Sequence, residues 1–130
     1  MNDIASILFA IYGQLKNMHY GSKGINYYGV HLLADRLINE LSPLDAIDHL
    51  QEATMLGNGK EALNWNQIAK PGLIKGTGVE ESLKHLLKLF DALEDCLCEK
   101  DFGCGDEAYW TGVCDKINLC KGFVIKTLGE

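Results

Sequence analysis

Residues 57–78 read Gly-Asn-Gly-Lys-Glu-Ala-Leu-Asn-Trp-Asn-Gln-Ile-Ala-Lys-Pro-Gly-Leu-Ile-Lys-Gly-Thr-Gly, and they divide the chain in two. Gly57, Gly59, Pro71, Gly72, Gly76 and Gly78 interrupt any regular element, because glycine is conformationally loose and proline lacks a backbone donor. The stretch therefore predicts a long connection, with room for one short helix around Glu61 to Ala69.

Helical patterns lie on both sides of it. From Asp3 to about Tyr20, Ile4, Ile7, Leu8, Ile11, Tyr12, Leu15 and Met18 recur at spacings of three and four, which makes one apolar helical face. Gly21, Gly24 and Asn26 then mark a turn. A second helix is expected from Asn26 or Tyr27 to Leu56, with Val30, Leu33, Leu37, Ile38 and Leu41 facing inward. Ser42-Pro43 interrupts it, either as a kink or as the join between two abutting helices. Ser42 as N-cap with Pro43 at the first helical position would restart the helix at once.

Beyond the connection, a third helix is expected from Val79 to Lys100, with Leu83, Leu86, Leu87, Phe90, Leu93 and Leu97 on its apolar side. Phe102 to Gly105 reads as a turn. A fourth helix is expected from Glu107 to Leu128, with Trp110, Val113, Ile117, Cys120, Val124 and Leu128 inward. No segment has the strand period, and no internal repeat is present. The order is two helices, one long crossover and two helices, in a single all-α domain over residues 1–130. A long crossover between helices 2 and 3, with short turns elsewhere, is the topology of a ferritin-like four-helix bundle. Cytokine-type bundles need two long crossovers and up-down bundles need none.

Composition narrows the function classes. The chain has 130 residues, enough to bury a core without disulfide or metal staples, and a formal charge of −6. Its twelve Lys and Arg residues are scattered, and the first fifteen positions contain none. Nucleic-acid binders cluster cations to neutralise phosphates, so direct DNA binding is not expected. No apolar run reaches the ~20 residues of a membrane span. The opening Met-Asn-Asp-Ile lacks the basic start and small-residue cleavage site of a signal peptide, so a cytoplasmic protein is expected. Cys96, Cys98, Cys104, Cys114 and Cys120 are odd in number, which argues against a disulfide framework. Their spacing is not that of paired zinc ligands, so they read as small apolar residues at helical spacing.

Five residues could bring chemistry to such a bundle. His19 ends the first helix, and His31 and Asp35 share a face of the second, four apart. Asp48 and Glu52 form another pair four apart. Imidazole with carboxylate suits iron, manganese or zinc, although such pairs also occur on ordinary solvated faces. His49 and His85 read as exposed helical histidines, Tyr20 as a packing residue or electron donor beside His19, and Trp65 as a candidate oligomer contact.

The stretch His19-Tyr20-Gly21-Ser22-Lys23-Gly24-Ile25-Asn26-Tyr27-Tyr28-Gly29-Val30-His31-Leu32-Leu33-Ala34-Asp35 resembles the signature of the Dps family of mini-ferritins: a histidine, an aromatic, a turn with Gly-x-Asn-aromatic, then His-x-x-x-Asp with the histidines twelve apart. Asp48-His49-Leu50-Gln51-Glu52 resembles the family's later Asp-x-x-x-Glu. The last helix is similar as well, and the connection is not. The resemblance implies a ferroxidase that oxidises ferrous iron with peroxide or oxygen, stores the ferric product and guards against oxidative stress. It implies His19, His31 and Asp35 as metal ligands from one subunit, with Asp48 and Glu52 from its two-fold partner. The assembly implied is a homo-oligomer, a two-fold dimer at least, with the hollow twelve-subunit shell of the family as the larger form. Two departures accompany the likeness. Asp35 and Asp48 are thirteen apart where the family has eleven, a rotation of roughly 200° in a straight helix. The Ser42-Pro43 break can absorb that rotation, and Asp45 is the substitute acid. The basic N-terminal tail with which some members hold DNA is missing. The contrasting expectation is a non-catalytic ferritin-like assembly or binding module with a degenerate metal site.

Overall fold

The computed structural model describes residues 2–60, 62–76 and 78–129. They are helical with no strand among them, in the order α1 (Asn2–Gly21), α2 (Tyr27–Leu41), α3 (Pro43–His49), a π turn (Leu50–Met55), a 3-10 turn (Leu56–Asn58), α4 (Trp65–Ile68), α5 (Val79–Cys98) and α6 (Cys104–Leu128). The all-α expectation holds. The apolar faces read from the sequence form the interior: Ile4, Leu8, Ile11, Leu15 and Met18 of α1 meet Leu37, Leu86, Phe90, Leu93, Trp110, Ile117 and Val124 in one core. Each such aliphatic side chain contributes roughly 1.5–3 kcal/mol by leaving water, so this shared interior dominates the fold's stability.

Helix α1 packs on α2, α3, α4 and α5, and α6 packs on α5 and α2. Side-chain partners give the directions. His19 near the end of α1 meets His31 near the start of α2, so these two run antiparallel. Gln14 reaches Lys75 and Gly76, just before α5 begins, so α5 also runs against α1. Lys121 of α6 pairs with Asp91 of α5, and Arg36 of α2 lies over the Phe123 ring of α6. Helices α2 and α5 thus point the same way, and only a connection that traverses the molecule's length can join them.

That connection is held by α1. Gln14, fully buried, donates from Nε2 to the Gly76 carbonyl at 3.0 Å and accepts the Lys75 N–H at Oε1 at 2.7 Å. The Ile74 side chain lies where a Cβ on Gly13 would sit, which explains a glycine in mid-helix despite its cost of about 1 kcal/mol. His85 donates from Nε2 to the Leu73 carbonyl at 2.6 Å, and Trp65 meets Phe9 edge to face. The short helix in this segment is Trp65–Ile68, narrower than the stretch from Glu61 to Ala69, and Glu61 lies outside the described residues.

Ser42 separates two abutting helices. It sits at φ +47°, a left-handed conformation that costs a non-glycine residue roughly 1–2 kcal/mol. Pro43 forces the residue before it out of the α conformation, and local bonds compensate. The Ser42 N–H donates to the Ile38 carbonyl at 2.8 Å, and its hydroxyl turns back to Asn39 O at 3.1 Å rather than capping α3. Past α3 the helix widens into the π turn, so the regular helix expected to reach Leu56 ends at His49. At the other hairpin α6 starts at Cys104, three residues before the expected start, with Cys104, Gly105 and Asp106 forming its first turn.

Candidate metal site at the turn between the first two helices

The turn from α1 to α2 brings His19 and His31 face to face. Their rings stack with centroids 3.7 Å apart and planes 22° from parallel. Each ring is also tied to the other's main chain: His31 Nδ1 donates to the His19 carbonyl at 2.8 Å, and His19 Nδ1 donates to the His31 carbonyl at 3.2 Å. A carbonyl only accepts, so both bonds require the proton on Nδ1. In the neutral rings, Nε2 then carries the lone pair. Histidine ligands of metal ions are arranged in this way, with one nitrogen donating to a carbonyl and the other left to coordinate.

The surroundings are aromatic and partly open to solvent. Tyr20 meets the His19 ring edge-on at 4.7 Å between centroids, and the Tyr27 hydroxyl lies 3.4 Å from His31 Nδ1. Tyr20 itself is exposed, with Lys16 over its ring, so it does not pack into the interior. Ser22 closes the turn by donating its hydroxyl to Met18 O at 2.7 Å.

The carboxylates expected alongside are not gathered by a single chain. Asp35 is exposed one turn along α2 from His31. Asp48 and Glu52 are exposed on α3 and the π turn, roughly 25 Å further along at 1.5 Å per residue. Asp45 is exposed too. Among the described residues no three His, Cys, Asp or Glu side chains are grouped closely enough to hold an ion. One chain therefore supplies two imidazoles and no third donor beside them.

A second polar cluster, at the opposite end of the molecule, was not legible in the sequence. His49 donates from Nε2 to Asp106 Oδ1 at 2.6 Å, and the Thr54 hydroxyl donates to Asp106 Oδ2 at 2.7 Å. The buried Trp110 donates its indole N–H to Thr54 Oγ1 at 3.3 Å. Tyr109 stacks on the His49 ring at 3.6 Å; burial pushes its phenol above the usual range, and the negative charge of Asp45 adds to this. The π turn makes the clasp. In an α-helix, residues five apart point about 140° away from each other. The wider i→i+5 turn aligns them, so His49 and Thr54 grip the two oxygens of one carboxylate. His49 and His85 are thus partly buried tethers instead of the exposed histidines expected. A histidine and a threonine at spacing five carry no sequence signal of this kind.

No helix of the described chain is long and apolar enough to cross a membrane. No protein-family model matches the chain, and neither the curated proteins nor the solved structures contain a match to it.

Proposed function

We propose that the chain is a Dps-like mini-ferritin, a ferritin-like four-helix bundle that takes ferrous iron as a substrate at a site shared between two copies and stores the ferric product. One observation carries the reading: the reciprocal Nδ1-to-carbonyl bonds of His19 and His31, which leave two Nε2 lone pairs free to ligate. Neutral imidazole with carboxylate binds ferrous iron moderately and leaves positions for an oxidant. The helix directions support the fold. Helices α2 and α5 run parallel and are joined by a long connection, which supports reading the helices as a ferritin-like bundle.

Iron would be held by His19 and His31, with Asp35 one turn away and Asp48 and Glu52 supplied by a second copy. A two-fold contact is self-complementary, so it brings the acidic end of this surface against the imidazole end of its mate twice over. Tyr28, Leu32, Leu44 and Leu56 are exposed along the same segment and offer apolar area for such a contact. In the reaction, two ferrous ions each give one electron to hydrogen peroxide, which takes up two protons and leaves as two waters. The contrasting reading is a non-catalytic assembly module, in which the histidine pair only ties the turn between α1 and α2.

His31→Asn separates the two readings. An asparagine amide nitrogen stands near the Nδ1 position and still donates to the His19 carbonyl, but it offers no Nε2. Anaerobic ferrous titration followed by peroxide, read by ferric absorbance in the near ultraviolet, should show at least about a tenfold loss of rate, since even outer-shell changes at metal sites cost 10–100-fold. Helical content should stay at the wild-type level. Oxidation by the variant at the wild-type rate would refute the ferroxidase reading and leave the assembly module. Light scattering that finds only monomer at micromolar concentration with iron present would defeat the shared site.

A further inference from the structure

The geometry points to Cys98 and Cys114 as a peroxide-sensitive thiol pair that closes into a disulfide between α5 and α6. This inference is independent of the iron reading. The register of the hairpin carries it. Lys121 pairs with Asp91 at 2.7 Å, and Phe102 stacks on Trp110 at 5.6 Å between centroids. Seven residues back from Lys121 along α6 is Cys114, and seven on from Asp91 along α5 is Cys98. Seven residues are two helical turns, so each cysteine lies on the same face as its end of the ion pair. The two cysteines therefore oppose each other, seven residues from an ion pair and four from a ring stack that share one register.

Both line the same cavity of about 230 Å³ between the end of α5 and the first turns of α6, with Lys100, Phe102 and Glu107 around it. Their environments differ. Cys98 is exposed, and Cys114 is half-buried. Burial pushes the Cys114 thiol above its usual range, and the nearby Cys98, Glu94 and Asp115 push it the same way. Cys114 is therefore poorly ionised at neutral pH, whereas Cys98 is exposed and is the sulfur that a peroxide in solution reaches first.

The other thiols are placed elsewhere. Cys96 is about 200° around α5 from Cys98. Cys104 is exposed at the start of α6, ten residues from Cys114, and Cys120 is fully buried.

The chemistry balances with hydrogen peroxide as oxidant. The Cys98 thiolate attacks one peroxide oxygen, an S–O bond forms, the O–O bond breaks, and hydroxide leaves to become water. The Cys114 sulfur then attacks the sulfenic sulfur of Cys98. The S–S bond forms, the S–O bond breaks, and a second water leaves with the Cys114 proton. Two thiols are oxidised and one peroxide is reduced to two waters.

The test uses the full chain with Cys96→Ser and Cys104→Ser, so that the tryptic peptides 89–100 and 101–116 each hold one cysteine. After stoichiometric peroxide and digestion without reductant, these two peptides should be linked, and the intact chain should be monomeric in mass and lighter by two hydrogens. Adding Cys114→Ser should abolish the link and leave a Cys98 sulfenic acid that dimedone traps. If the substituted chains lose helical structure, fragmentation of the linked peptides from the unsubstituted chain gives the same answer. A Cys98 that stays reduced, or that links to Cys120 or to another chain, would overturn the pair.

Discussion

Asp106→Ala tests the clasp at the π turn most directly. The Asp106 carboxylate accepts from His49 at 2.6 Å and from Thr54 at 2.7 Å, and its side chain is only 14% exposed. A hydrogen bond to a charged group contributes about 1.5–3 kcal/mol, against the ~0–1 kcal/mol of an exposed ion pair. The two bonds share one acceptor and do not add in full, so the expected loss is roughly 3 kcal/mol. That is a large part of the ~5–15 kcal/mol by which domains are stable. Urea unfolding followed by far-ultraviolet circular dichroism, with Trp110 emission as the local probe, gives the number.

Asp106→Asn keeps one accepting oxygen and should lose about half as much. Thr54→Val removes the link to both Asp106 and the buried indole, and combined with Asp106→Ala it should fall short of the sum by about 1 kcal/mol, as coupled partners do. A loss below about 0.5 kcal/mol for Asp106→Ala, the range of ordinary surface changes, would refute the clasp as a stabilising element.

Gln14→Ala should cost about 1–3 kcal/mol, because the Lys75 N–H and the Gly76 carbonyl lose their partner. Hydrogen exchange should speed up in the crossover around Lys75 while the core amides of α6 keep their protection. The Cys120 thiol is pushed up to about 11 by burial first, and then by Glu40. A folded-state value above the unfolded one means its contribution is complete below about pH 9 and declines as the pH rises toward 11. Thermal midpoints should therefore fall over that window, and Cys120→Ala should flatten the fall. An equal slope in the variant would assign the loss to other groups.

Periodicity located the interior well, because burial of a helical face is a local property of spacing. Leu83, Leu86, Phe90, Leu93 and Leu97 are buried on α5, as are Trp110, Val113, Ile117 and Cys120 on α6. The glycine-rich stretch was legible as the crossover for a similar reason. The proximity of His19 and His31 came from their flanking one tight turn. Features decided by three-dimensional neighbours escaped. The clasp at the π turn has its acceptor in Asp106, more than fifty residues along the chain from both His49 and Thr54. Five cysteines looked alike as small apolar residues, yet Cys98 and Cys104 are exposed and only Cys120 is fully buried.

The π turn also bears on how this segment tolerates changes of length. It closes its hydrogen-bonded loop with one residue more than an α-helix needs, so it absorbs a surplus position without rotating the residues after Met55. In a regular α-helix, residues four apart already share a face. A chain one residue shorter between His49 and Thr54 would present the same two groups to Asp106 from an ordinary turn. The geometry therefore fixes the two grips and leaves the count between them open to one deletion, and the exposed Ala53 is where a residue can be lost at least cost.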